Sequence, residues 1–150
     1  MAQFNRILFP VDLSGIGAKI IPHVQMMVEC HKAELHLLHV LEMFSSNMGM
    51  MEAHIDLETV TKQLRGQVEN QLDQMAADHF SGIGNVTKVI VEGRPGQQIR
   101  DYAKTNNMDL IIMASHARKG LDYAFFGSVA NKVARGSEVP VLLINPTTLE

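Results

Sequence analysis

The chain has 150 residues, 46% of them hydrophobic and 19% charged, with a formal net charge of −3. That is the size of one ordinary globular domain, long enough to bury a core. The negative charge, with lysines and arginines scattered along the chain, argues against nucleic-acid binding, and no apolar run reaches the roughly 20 residues of a membrane span.

Strand one is expected over residues 6–11, Arg-Ile-Leu-Phe-Pro-Val, ending at Asp12. Ser14 can cap a following helix whose Ile16, Ile20, Ile21, Val24 and Val28 recur at helical spacing. Strand two covers residues 34–40, and a methionine-rich stretch from Met43 to Met51 follows. That stretch suits either a lid or partner surface or a loop packing on its own domain, since methionine adapts its shape to its neighbours. The longest helix is predicted over residues 54–80, with Leu57, Val60, Leu64, Val68, Leu72 and Met75 in one stripe. Gly82 and Gly84 stop it.

Strand three spans 86–91 and leads into Gly93-Arg-Pro-Gly96, where Pro95 suits a first helical turn because its missing N–H would be unpaired there. The next helix turns Ile99, Tyr102 and Ala103 inward. Strand four, 109–114, is nearly all apolar, as a central parallel strand buried on both faces should be. A helix over 127–135 and strand five over 139–144 complete the chain. Five alternations of strand and helix without linker or repeat predict a single α/β domain, a mostly parallel sheet with helices on both faces. Leu149 and Glu150 carry no functional weight.

Gly127-Ser128 opens a helix after a loop of small and basic residues, and free N–H groups at such a start favour phosphate. Ser128 serves equally well as a plain helix-start residue. Asp12 and Ser14 have a similar double reading, as ligand contact or as turn and cap. Arg118 and Lys119 can neutralise phosphate or stay solvated. His116 suits a loop histidine bonded to a backbone group. The other histidines lack metal-ligand spacing: His36 and His39 lie three apart on a strand and face opposite sides. Gly15-Ile-Gly17-Ala-Lys-Ile20 begins like a dinucleotide fingerprint, with Glu42 after strand two, but its third glycine is Ile20, and no Walker-type loop occurs. No Asp/Glu pair or Ser/His/Asp set stands out for catalysis. Cys30, the single cysteine, cannot close an internal disulfide. The N-terminal residues lack the regions of a signal peptide, so a cytoplasmic chain is expected.

The segments Arg6-Ile-Leu-Phe-Pro-Val-Asp12-Leu-Ser14, Leu35-His-Leu-Leu-His-Val40, Glu92-Gly-Arg-Pro-Gly96 and Val139-Pro140-Val141 resemble those of the universal stress protein family. So does the spacing after strand four of a glycine, two residues, a glycine, nine residues and Gly-Ser, which here reads Ala114, Ala117, Gly127, Ser128. Both loop glycines are alanines in this chain. The resemblance implies a Rossmann-like or flavodoxin-like sheet of order 3-2-1-4-5, with a ligand at the switch point between strands one and four. It further implies an adenine nucleotide (ATP, ADP or AMP, with or without magnesium) held by Pro10, Val11, Asp12, Val40, Met113, Ala114, Ser115, His116, Ala117, Arg118, Gly127, Ser128 and Val129. In that reading Asp12 meets the nucleoside, Val40 offers backbone groups to adenine, and the Ala117 methyl opposes the outer phosphates. The resemblance also implies a stress-response regulator, not a metabolic enzyme, that forms a homodimer through the edge strand Val139 to Ile144. The alternative is a nucleotide-free dimeric interaction protein, which the two alanines favour.

Overall fold

A computed structural model describes residues 2–42, 56–115 and 127–149. The methionine-rich stretch and the residues from His116 to Lys119 lie outside these. The elements run β1 (Arg6–Pro10), α1 (Gly15–Ala18), α2 (Ile21–His31), β2 (Glu34–Leu41), α3 (Leu57–His79), β3 (Val86–Glu92), α4 (Pro95–Thr105), β4 (Leu110–Ala114), α5 (Ser128–Gly136) and β5 (Val141–Ile144), then a short 3₁₀ turn at Pro146–Thr148. The five strands form one sheet of order β3-β2-β1-β4-β5, parallel throughout. The family-like order expected above is the order found.

The central strands β1 and β4 are apolar on both faces, and successive side chains feed different cores. Ile7, Phe9, Leu35, Leu37, Leu110 and Ile112 pack with Val24 and Val28 of α2 and Val68 and Leu72 of α3. Leu8, Leu38, Ile111 and Met113 pack on the other face with Ile99 and Ala103 of α4 and Ala130 and Val133 of α5. The period-2 alternation of a strand thus splits one sequence between two layers of helix. His36 and His39 follow the same rule. His36 bonds Tyr102 of α4 through Nδ1 (2.7 Å) and Glu34 through Nε2 (2.9 Å), whereas His39 Nδ1 donates to the Val11 carbonyl at 2.7 Å. Burial, reinforced by the charge of Glu34, pushes the Tyr102 phenol up. Among the described residues no helix is long and apolar enough to cross a membrane.

Two expectations about helices need correction. The helix expected after strand one is in fact two, α1 and α2, because Pro22 lies in the first turn of α2. Proline there has no N–H for an upstream carbonyl, and its ring crowds the carbonyl four residues back, so a continuous helix cannot pass. The long apolar stripe is also only half used: Val68 and Leu72 are buried, but Leu57 is 42% and Leu64 44% exposed. At about 1.5 Å per residue α3 runs roughly 34 Å, longer than strands of four to eight residues at about 3.3 Å each. Its first turns therefore overhang the sheet. Smaller differences concern boundaries. α3 starts at Leu57, capped by Asp56, whose side chain accepts from Glu58 N, and β5 starts at Val141 after a turn in which Ser137 bonds both N and O of Val139.

A sheet covered on both faces makes a test of the layering. Ile111 and Ile112 are adjacent, both fully buried, and point into different cores. Ile111→Ala and Ile112→Ala should each cost about 2–5 kcal/mol in chemical denaturation, while Leu142→Ala on the edge strand costs under about 1 kcal/mol. A loss confined to one of the two isoleucines contradicts the three-layer packing.

Candidate functional site

In β1-to-β2 and β4-to-β5 connections the chain leaves the sheet toward opposite faces, since α2 joins one core and α5 the other. Between β1 and β4 this opens a crevice at the carboxyl ends of the strands, the place where open α/β sheets hold ligands. The two central strands are apolar on both faces, so polar groups able to meet a ligand lie at their ends.

The turn after β1 is built by its own side chains. Val11 N donates to Leu38 O at 2.8 Å, and the Val11 carbonyl takes the His39 bond, so the chain is pinned to β2 just beyond the last strand residue, Pro10. Asp12 Oδ1 accepts from Ser14 N at 3.0 Å and from Ser14 Oγ at 2.8 Å, and Ser14 Oγ accepts from Gly17 N at 3.2 Å. These bonds hold Leu13 in the left-handed region, φ 61°, which costs a non-glycine residue about 1 kcal/mol. Gly17 is needed for closeness: a Cβ there would stand 2.9 Å from Asp12 Oδ1. Both the turn and the cap expected of Asp12 and Ser14 are therefore present, with the Asp12 side chain exposed at the crevice.

On the other side, Met113 is buried and Ala114 is the last residue of β4, in register with Ile144. Ala114 has no positive φ, so the methyl that replaces the family's first loop glycine carries no backbone strain. Ser115 is buried, and its N–H is committed to Ile144 O at 3.0 Å. Gly127 is the N-cap of α5 with φ −49° and ψ 154° and no side-chain cap. That conformation is open to any L-residue. Ser128 is exposed and Val129 half-buried, and the N–H groups of this first turn have no carbonyl four residues back to bond. Val40 is half-buried at the end of β2 and packs on the α4 and α5 side.

Beside this crevice is a cleft not expected from the sequence. It lies between α4 and α5, has a volume of about 350 Å³, and is lined by Glu42, Arg94, Pro95, Gly96, Gln97, Arg100, Ser128, Val129 and Lys132. The lysines and arginines that look scattered in sequence are gathered here in part. Arg94 sits in the Gly-Arg-Pro-Gly turn and could have been flagged as a basic residue opening a helix. Lys132 could not have been paired with it, since their proximity depends on how α4 and α5 pack.

The family model for the universal stress protein family matches residues 3–145. A universal stress protein of Methanocaldococcus jannaschii is 27% identical over 155 residues, with 95% of each chain covered. The solved structure of that archaeal protein overlays with a TM-score of 0.79 at 26% identity, covering 96% of this chain and 97% of the other. The universal stress protein YxiE of Bacillus subtilis is 30% identical over 151 residues, covering 95% of this chain and 99% of the relative. A universal stress protein of Archaeoglobus fulgidus, solved in complex with dAMP, has the same fold, with a TM-score of 0.66 at 15% identity over 96% of this chain and 100% of that one. From the match over almost its full length, the chain belongs to the universal stress protein family.

Proposed function

We propose that this protein binds an adenine nucleotide at the carboxyl ends of β1 and β4 and works as a regulatory binding protein of the stress response. What supports the reading is the opposed departure of the chain from the neighbouring strands β1 and β4, with Asp12 just beyond the end of β1 and the uncapped start of α5 on the path from β4 to β5. A helix start whose N-cap residue, Gly127, makes no side-chain cap bond suits phosphate. A carboxylate fixed by Ser14 at the far side of the crevice suits a hydroxyl or amino group of a nucleoside. The dAMP complex of the Archaeoglobus relative supports the same ligand class. No residue in this reading is assigned the role of a general base, so bound ATP is expected to be hydrolysed slowly or not at all.

A thermal-shift series with millimolar AMP, ADP and ATP tests the reading. Saturation to about 100 times Kd stabilises by about 2.7 kcal/mol. Because position 127 tolerates any L-residue in its backbone, Gly127→Val should fold with a loss of about 1 kcal/mol at the N-cap and lose the nucleotide shift. Asp12→Asn keeps an Oδ1 acceptor for Ser14, and it should weaken all three nucleotides by a similar factor. No shift of the parent protein with any of them would end the reading and leave a nucleotide-free interaction protein.

Ala117 allows a second measurement. If its methyl crowds the outer phosphates, Ala117→Gly raises affinity for ATP a few-fold more than for AMP, on the order of 1 kcal/mol. Equal gains, or none, show that the alanine is tolerated.

Assembly belongs to the same proposal. β5 is an edge strand whose Leu142 is 37% exposed, and an apolar edge with unpaired backbone groups favours a second strand. A second copy across a two-fold axis closes the contact on itself. Leu142→Asp should then convert a dimer into monomer or aggregate in multi-angle light scattering, and a monomeric parent protein would refute this arrangement.

A further inference from the structure

We propose that the cleft between α4 and α5 is a phosphoryl subsite in which Arg94 and Lys132 hold the outer phosphates of the bound nucleotide, so that the protein discriminates ATP from AMP. The identity of the ligand rests on the nucleotide reading above; the cleft itself does not.

Ser128 links the two places. It is the first residue of α5 at the crevice and also lines the cleft, whose volume of about 350 Å³ lies within the roughly 300–1,000 Å³ of small-ligand sites. Three cations, Arg94, Arg100 and Lys132, face one carboxylate, Glu42. Arg6, Arg65, Lys88 and Lys104 each have a carboxylate partner, but no ion pair within 4.0 Å is found for Arg94, Arg100 or Lys132 among the described residues. A small concave surface with excess positive charge favours a multiply charged anion over a singly charged one, because each further phosphate adds attraction at short range.

The cations are also placed by packing. Gly96 is buried, and a Cβ there would lie 2.9 Å from Lys132 Cβ, so α4 and α5 touch backbone to side chain at this point. That contact fixes the root of Lys132 beside the first turn of α4. Arg100 Nε donates to Gly96 O at 3.1 Å, which commits Arg100 to holding α4 and leaves Arg94 and Lys132 as the exposed groups for a ligand. Glu42 limits the attraction from the other wall, which makes the cleft selective for charge: a lone phosphate gains little against it, a di- or triphosphate more.

The test is isothermal titration of the full chain and of Arg94→Gln and Lys132→Gln with AMP, ADP, ATP and inorganic tripolyphosphate. Both side chains are exposed, so the variants keep the fold, which circular dichroism checks. Each variant should weaken ATP about five- to tenfold, as loss of one charge-assisted contact does, ADP less, and AMP under about twofold. Glu42→Gln should strengthen ATP. A parent that binds tripolyphosphate but no nucleotide, with binding lost in both variants, overturns the nucleotide as source and leaves a site for free polyphosphate. Equal weakening of AMP, ADP and ATP, no weakening, or no binding of any of the four ligands overturns the subsite.

Discussion

The two central strands of the sheet present apolar side chains on both faces, so a polar site has to form at their ends. Ile7, Leu8, Ile111 and Ile112 of the two central strands are fully buried, between the α2 and α3 core on one face and the α4 and α5 core on the other. A parallel sheet can be this apolar only if helices cover both sides, and helices on both sides require the crossovers to divide into two groups. The dividing line falls between β1 and β4. The crevice there is a consequence of closing two cores with one chain, and it would exist in this fold with or without a ligand.

Within that crevice much of the hydrogen-bonding capacity is spent on shape. The Val11 carbonyl is taken by His39, the Ser115 N–H by Ile144, and Asp12 Oδ1 by Ser14. These bonds stabilise a turn that includes one left-handed leucine. In the proposed reading, the groups left for a ligand are the Asp12 carboxylate, the first turn of α5 and the cations of the adjoining cleft. Recognition built from backbone groups and helix ends constrains side-chain identity weakly.

Legibility in the sequence followed the range of the interaction. Strand positions were legible because β1, β2 and β4 are short, mostly apolar runs, a signal contained in five to eight residues. The cap at Ser14 and the first-turn proline at Pro95 were legible for the same local reason. The strand order came only with the resemblance of Arg6–Ser14 and the Gly127-Ser128 pair to a family pattern. The break at Lys19–Ile20 was missed although Pro22 was in view, because the periodicity of Ile16, Ile20 and Val24 continues across it. The exposure of Leu57 and Leu64 was invisible: a stripe tells which side of a helix is apolar, not how far the sheet beneath it extends. The pairing of Arg94 with Lys132 was invisible too, since nothing in either segment encodes the register of α4 against α5.

That register depends on a residue without a side chain. Gly96 lets α5 approach α4 until the stem of Lys132 rests against its backbone, so the spacing of two helices, and with it the width of the gap between their first turns, is set by an absent methyl group. Protein interiors are packed too densely to absorb such a group silently. Among relatives with the same sheet, an alanine or serine at the corresponding position would wedge the helices apart and widen the gap without altering any charged residue in it. Position 96 is thus a gauge for aperture, able to vary the size of what enters independently of the chemistry that greets it.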